Sequence, residues 1–334
     1  MAQGKTRNFF KNLFLRRIKA AEFAITNVCI AKCSFCEIWK QKPKVFVDRE
    51  KALEAIDRLA DLGTVHITIT GGEPLLHPNV VDFVRRATDR KMHTLVLDAA
   101  PLLLLQNDIV KRLEDAGNDV ICISFDSGDP QIMAESRQIP NIMEDMARAV
   151  ELIGKTKIKT MASVLIWNDN YDKLEEVCVR AKNMGFNFIS INYPTFSESR
   201  VYPLGGEGIS LSRENVIHGL ETVIKLRSSG KYRIINSEVS MRNIISFLKD
   251  PATIKYPCLG GTHVLFVDWY FDVRPCMQLP TVMGNILTMK ADDFKLPSCN
   301  KCNMSWYRDF SALLQGFKSL PVWLESLEGF KALK

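Results

Sequence analysis

Nothing in the 334-residue chain reaches the eighteen or so consecutive apolar residues of a membrane-spanning helix, and the run from Leu102 to Leu105 is far too short. The N-terminus also lacks the continuous apolar core and small-residue cleavage site of a secretory signal. Internal repeats and low-complexity tracts are missing. Acid is absent from the first twenty residues, which carry Lys5, Arg7, Lys11, Arg16, Arg17 and Lys19. The whole chain holds 44 basic and 38 acidic residues, so this segment accounts for the entire net charge of +6. The remainder is neutral on count, which argues against a broad nucleic-acid surface, and no nucleic-acid partner is expected.

Cysteine is too sparse, at nine in 334 residues, for a secreted disulfide scaffold. What is present is the profile of a soluble enzyme, 46% hydrophobic, 25% charged and 9% aromatic. The length suits one large domain plus a small one, or a barrel with an appendage. Seven of the cysteines fall into two spaced sets, Cys29, Cys33, Cys36 and then Cys258, Cys276, Cys299, Cys302. Gaps of two and three residues recur in metal and cluster sites, and imply a reducing cytoplasm. Cys122 lies in an apolar strand and Cys178 in a helix, where both read as small buried hydrophobes.

Strand-like segments at 21–27, 65–70, 93–98, 120–125, 158–166 and 186–192 alternate with helix-like ones near 49–62, 78–90, 101–116, 140–154, 171–184 and 212–229. Pro78, Pro101 and Pro140 mark helix starts, and Gly63, Gly117, Gly154 and Gly185 mark stops. Six such units read as a parallel α/β sheet, two units short of a closed eightfold barrel. The expected fold is an open partial (β/α)6 TIM-like barrel over residues 20–235. An N-terminal arm (1–19) precedes it, and a small cysteine-rich α+β module (236–310) and a helical tail (311–334) follow. Cys29 to Cys36 follows the first strand and Gly71-Gly72-Glu73 the second, so both belong to the rim where barrel chemistry gathers.

Three thiolates can hold three irons of a cubane and leave the fourth open, whereas a closed zinc or electron-transfer site needs a fourth thiolate. The Cys-x3-Cys-x2-Cys loop, with Phe35 before its last cysteine, resembles the radical S-adenosylmethionine superfamily. Gly71-Gly72-Glu73-Pro74 resembles that family's glycine-glycine-glutamate element. The resemblance implies a [4Fe-4S] cluster at Cys29, Cys33 and Cys36 with S-adenosylmethionine chelating the open iron. Reductive cleavage then yields a 5′-deoxyadenosyl radical that abstracts hydrogen from a substrate. Gly71 and Gly72 would let the backbone approach the cofactor, Glu73 would accept a hydrogen bond from its ammonium group, and Phe35 would lie against the adenine. Ser124-Phe125-Asp126 resembles the family's Ser-Leu-Asp-Gly stretch, with Phe125 and Ser127 as departures. Ser124 and Arg137 are candidates for the cofactor's ribose or carboxylate, or else a polar strand end and a solvated arginine. Asn168 and Asn170 either cap the next helix or serve the site.

His263 to Asp268 and Phe271 to Pro275 read as a hairpin between Cys258 and Cys276. With Cys299 and Cys302 they supply four thiolates, which zinc and a cubane both accept. This tail resembles the twitch module, a shortened SPASM module, and Gly284-Asn285-Ile286 resembles a segment of it. The resemblance implies one auxiliary [4Fe-4S] cluster with four protein ligands and an electron-transfer role. Phe10, Leu13, Phe14 and Ile18 share a helix face opposite Arg7, Lys11 and Lys19, which either packs under the barrel or lies on an anionic membrane. Trp306, Tyr307, Phe310, Leu313 and Leu314 are expected to pack on the barrel.

The expected function is C–H or alcohol oxidation, with the auxiliary cluster accepting or relaying electrons and a flavodoxin or ferredoxin as donor. Redox-neutral rearrangement or adenosyl transfer on a lipid-like substrate is the alternative, and a non-enzymatic iron–sulfur carrier or scaffold another. Peptide maturation ranks lower, for want of an extra N-terminal domain. Tyr193, Ser197, Glu198, Arg200 and Tyr202 in the loop 193–211 are candidate substrate contacts.

Overall fold

The computed structural model describes residues 18–92, 94–195, 210–294, 299–300 and 302–316. Six parallel strands follow in order: β1 (Ala20–Ala24), β2 (His66–Thr70), β3 (Thr94–Asp98), β4 (Val120–Ser124), β5 (Lys159–Leu165) and β6 (Phe188–Asn192). Each pairs with the next, and β6 ends the sheet without closing on β1, which makes an open partial barrel. The strands alternate cleanly. Phe23, Ile67, Ile69, Leu95, Leu97, Ile121, Ile123, Val164, Ile189 and Ile191 point to the surrounding helices and are buried in one continuous core. Their neighbours Glu22, Thr68, Thr70, Asp98, Ser124, Ser163 and Asn192 therefore face the lumen. Val96, Val120 and Cys122, with Met161 against them, form a separate small apolar cluster on that inner face.

Helices α1 (Arg49–Asp61) and α2 (Val80–Asp89) cover the first units. Asp48 caps α1 by accepting the Lys51 N–H at 3.0 Å, as a helix N-terminus requires. The segment 101–116, read above as one helix, is two: α3 (Pro101–Leu104) and α4 (Ile109–Ala116). Asn107 and Asp108 between them take left-handed backbone, φ 50° and 49°, which a continuous helix cannot contain. Helix α5 (Pro130–Arg137) was not anticipated, although Asp129 before Pro130 is a standard start and accepts the Gln131 and Ile132 N–H groups. Next come α6 (Ile142–Gly154), α7 (Leu174–Met184) and α8 (Arg213–Ser228). Of the three prolines expected to open helices, only Pro101 is a first helical residue; α2 and α6 begin two residues after Pro78 and Pro140.

A further unanticipated helix, α9 (Glu238–Lys249), precedes β7 (Val264–Val267), β8 (Asp272–Arg274) and β9 (Gly284–Asn285). β7 and β8 form the expected antiparallel hairpin, but β7 also pairs in parallel with β1. The cysteine-rich part thus extends the barrel's own sheet at its β1 edge. Ile18 and Lys19, assigned above to an amphipathic helix, are buried instead. The Lys19 N–H donates to His263 O at 2.7 Å, so these residues already lead into β1 beside β7. The rest of that helix face lies outside the described residues. No helix among the described residues is long and apolar enough to cross a membrane.

Helix α10 (Ser305–Gly316) lies across the barrel's open side. Ser305 Oγ donates to Asn192 Oδ1 on β6 at 2.9 Å, and Tyr307 Oη donates to Glu22 Oε2 on β1 at 2.8 Å. Trp306 and Phe310 pack on His66 of β2, with ring centroids 6.0 and 4.9 Å away. The helix runs unbroken through residue 310.

Candidate functional site

The first cysteine loop leaves the C-terminal end of β1 and is latched on two sides. On one side, Gly72 N–H donates to Thr26 O at 2.8 Å and Glu73 N–H to Val28 O at 2.7 Å. A Cβ on Gly71 would sit 2.3 Å from Thr26 O, and one on Gly72 would sit 2.2 Å from Val28 O. The glycines are needed because this chain's own backbone fills the space where side chains would start. On the other side, Lys32 and Ser34 N–H groups donate to Arg137 O and Ser136 O at the end of α5, at 3.2 and 2.9 Å.

Arg137 is not a solvated arginine. Its guanidinium pairs with the buried Asp126, reaches Cys33 Sγ at 3.7 Å, and stacks 5.2 Å above the Phe35 ring. Phe35 also meets Trp167 edge-on at 5.8 Å, so two side chains of this protein already occupy its surroundings. Asp126 in turn accepts the Leu165 N–H at 2.9 Å. Asn170 caps no helix: its Nδ2 donates to Asp126 O and Leu165 O, both at 2.7 Å, tying the ends of β4 and β5 together. Trp167 has no site role in the sequence reading, and Asp126 enters it only as the end of the Ser124-Phe125-Asp126 stretch, whereas Asn170 takes the second of the two roles expected for it. Their signal was only their position just past strand ends. Asn168 turns away to Ser210, and Ser124 is half-buried beside Ser163 at the end of β4.

Glu73 is buried, and its two oxygens accept the Leu75 and Ala100 N–H groups at 3.0 and 2.8 Å, joining the ends of β2 and β3. Burial pushes its carboxyl up to about 8 against those two bonds, and nearby Asp98 adds to the rise. Each oxygen keeps a second lone pair for a cationic donor. Deeper in the lumen, burial pushes Glu22 up to about 8, opposed by the Tyr307 hydrogen bond and assisted by Asp98.

The second set comes from loop segments that flank the β7–β8 hairpin and precede α10. Cys258 and Cys299 exchange backbone hydrogen bonds of 2.9 and 3.2 Å, a two-residue antiparallel bridge. A Cβ on Gly260 would lie 2.7 Å from Pro275 O, so the chain beside Cys258 touches the chain beside Cys276. Cys258 precedes β7 and Cys276 follows β8, which places both at the end of the sheet opposite Cys29 to Cys36. The five residues of β1 set these ends about 17 Å apart.

Both sets share one local geometry. The sulfurs of Cys29, Cys36 and Cys302 accept the N–H groups of Ala31, Ile38 and Met304. Cys258 and Cys276 accept those of Gly260 and Gln278, each at 3.4 Å. In every case the donor is two residues onward. Amides aimed at sulfur favour a thiolate, the form that binds metal. Burial still pushes Cys29 up to about 12, Cys36 up to about 11 and Cys276 up to about 12. Cationic iron would hold them ionised, so these donor sets suit a cluster. At Cys178 burial, and then Glu175, both raise the thiol, as suits a packed side chain. Among the described residues no three such side chains close on a single-ion position. Of the substrate-loop candidates only Tyr193 is among the described residues; it is buried, and its hydroxyl has no partner.

Comparison with known proteins accords with this arrangement. The AdoMet-dependent heme synthase of Methanosarcina barkeri is 24% identical over 279 residues, covering 78% of this chain and 77% of that protein. A GTP 3′,8-cyclase of Limosilactobacillus fermentum is 30% identical over 184 residues, covering 53% and 54%. The fold resembles Streptococcus suis SuiB bound to S-adenosylmethionine, with a TM-score of 0.67 at 14% identity over 95% of this chain and 71% of that one. Residues 23–181, from within β1 into α7, match the radical SAM superfamily, whose members use a [4Fe-4S] cluster and S-adenosylmethionine. Residues 23–181 thus carry a radical SAM superfamily domain.

Proposed function

We propose that this enzyme abstracts a hydrogen atom from a polar organic substrate in the barrel lumen and completes a net oxidation there. In this reading Cys29, Cys33 and Cys36 hold the cluster that binds S-adenosylmethionine, and Cys258, Cys276, Cys299 and Cys302 hold a second [4Fe-4S] cluster. The observation that carries it is the N–H···S pattern shared by the two sets and absent from the causes acting on Cys178.

When bound, the first cluster and its cofactor supply the 5′-deoxyadenosyl radical, using one electron from a low-potential donor of the flavodoxin or ferredoxin class. The protein's part is placement. Glu73 offers its free lone pairs to the cofactor ammonium, which would keep the carboxylate ionised despite burial. Arg137 and Asp126 brace the loop that carries Cys33. For an alcohol carbon, loss of a hydrogen atom to the radical leaves a hydroxyalkyl radical. Loss of one proton and one electron from it then gives a carbonyl. A second cluster held by Cys258, Cys276, Cys299 and Cys302, at the far end of the strands, would supply the acceptor for that electron.

The lumen favours a polar substrate over a lipid. Glu22, Thr68, Thr70, Asp98, Ser124, Ser163 and Asn192 line it, and the apolar inner cluster is confined to four side chains. The name of one relative, GTP 3′,8-cyclase, likewise describes a polar substrate of that protein. Loaded protein supplied with reductant should convert S-adenosylmethionine to 5′-deoxyadenosine, and Cys33→Ala should abolish this. Intact cofactor after verified reduction of the cluster overturns the reading. An adenosylated product in place of free 5′-deoxyadenosine would favour adenosyl transfer.

A further inference from the structure

Arg308 on α10 is 1% exposed, among the most deeply buried large side chains of the protein. Among the described residues its hydrogen-bond partners are all neutral. Nε and Nη2 donate to the carbonyl oxygen of Cys302 at 2.8 and 2.6 Å, and Nη1 donates to Tyr256 O and Asn300 Oδ1 at 3.4 Å. The guanidinium carbon lies 5.3 Å over the Phe247 ring. The neighbouring acid, Asp309, is turned to Asn236 and Ser240 instead. Arg137, beside the first cysteine set, is different, because Asp126 balances its charge.

A buried cation without an anion costs several kcal/mol, even when its N–H groups are satisfied. Among the described residues, the thiols of the second cysteine set are the source of negative charge that the contact of Arg308 with the Cys302 backbone points to. Arg308 grips the backbone of Cys302 itself, through Nε and Nη2 onto one carbonyl oxygen. A [4Fe-4S] cluster with four thiolates is an anion whose charge grows by one on reduction. A fixed cation beside it therefore stabilises the reduced form more than the oxidised form and raises the reduction potential.

We propose that Arg308 is the counter-charge of the second cluster and positions its reduction potential to accept an electron from the substrate. This rests on the reading that Cys258, Cys276, Cys299 and Cys302 hold such a cluster. The fork onto Cys302 O adds rigidity, but the charge sets the potential.

The test uses full-length protein with Cys29, Cys33 and Cys36 replaced by alanine, so that only the second cluster remains. Arg308→Gln and Arg308→Lys are compared with this parent by iron content and by redox titration followed by electron paramagnetic resonance. Arg308→Gln should lower the midpoint enough to change the reduced-to-oxidised ratio at least tenfold, about 59 mV for one electron. Arg308→Lys, which keeps the charge and loses the planar fork, should stay near the parent. Retention of iron by the lysine variant alone would also support the charge. An unchanged midpoint in Arg308→Gln overturns the proposal. So does an equal fall, or equal loss of iron, in both variants, since the fork would then be what matters. Zinc in place of iron in the parent defeats the cluster reading itself, and metal content reveals this before any potential is measured.

Discussion

Tyr307 donates its hydroxyl to Glu22 Oε2 at 2.8 Å, joining residues 285 positions apart in sequence. The bond ties α10 to the central residue of β1 across the open side of the barrel. Burial holds Glu22 up to about 8, well above the 4.5 of a free side chain.

The sign of the resulting pH dependence follows from linkage. Between about 4.5 and about 8 the folded chain keeps a proton on Glu22 that the unfolded chain has lost. Stability is therefore greatest below this window and falls as pH rises through it. Glu22→Gln cannot titrate and still accepts from Tyr307. Melting temperature measured against pH should fall less steeply for Glu22→Gln than for the parent, with Glu73 supplying part of the remaining slope. Tyr307→Phe should cost about 1–3 kcal/mol by leaving a buried acceptor unmet.

Gly71 and Gly72 are predicted to be intolerant of any side chain. Gly71 combines φ +144° with a 2.3 Å clash, and Gly72→Ala would bring a methyl to 2.2 Å from Val28 O. Either alanine should lower stability by about 3 kcal/mol or more and separate the cysteine loop from β2. Chemical denaturation of the metal-free chain isolates this effect from cofactor binding. A loss under 1 kcal/mol in both would contradict it.

Asp126→Asn leaves Arg137 buried without its counter-charge. The expected loss is about 3–5 kcal/mol, together with weaker iron retention at the first cysteine set. Replacing both residues with neutral ones should cost less than the sum of the single changes, which a double-mutant cycle reads directly.

Iron content should separate the cysteines by role. Cys258→Ala should lose about four irons per chain while leaving the first cluster's spectrum in place. Cys122→Ala and Cys178→Ala should keep the full complement. Loss of iron in Cys178→Ala would contradict its assignment as a packed side chain.

The arm preceding β1 carries Lys5, Arg7, Lys11, Arg16 and Arg17 and no acid. Flotation with anionic liposomes, comparing the full chain with one lacking residues 1–17, should show weaker membrane attachment in the shortened protein. Equal flotation removes the membrane reading. Residues 18 and 19 are retained because Ile18 is part of the core.

Much of the barrel was legible because its signals are local. Six β-branched and aliphatic runs, each followed by an amphipathic segment, can bury their apolar faces in one way, and all six strands formed. The failures were local too. Residues 101–116 carry helical spacing throughout, yet left-handed backbone at Asn107 and Asp108 breaks the helix, a choice made by packing against neighbouring helices. Asn170 precedes a helix and could be read either as its cap or as a site residue; its partners are carbonyls of two different strand ends, a choice the local sequence does not make.

Sequence alone determined that seven thiols fall in two sets, that the first follows β1, and that Glu73 follows β2. These are matters of spacing and of strand polarity. Only the tertiary structure decided what surrounds them. Strand β7 joins β1 within one sheet, and the hairpin's return carries Cys258 and Cys276 to the end opposite the first loop. Arg308 and Tyr307 are successive helix positions that could as well have faced solvent. They are buried because α10 crosses the open barrel, with one reaching the second cysteine set and the other Glu22. Contacts across 285 residues leave no periodic trace in the chain, since they depend on where whole elements pack rather than on what precedes or follows each residue.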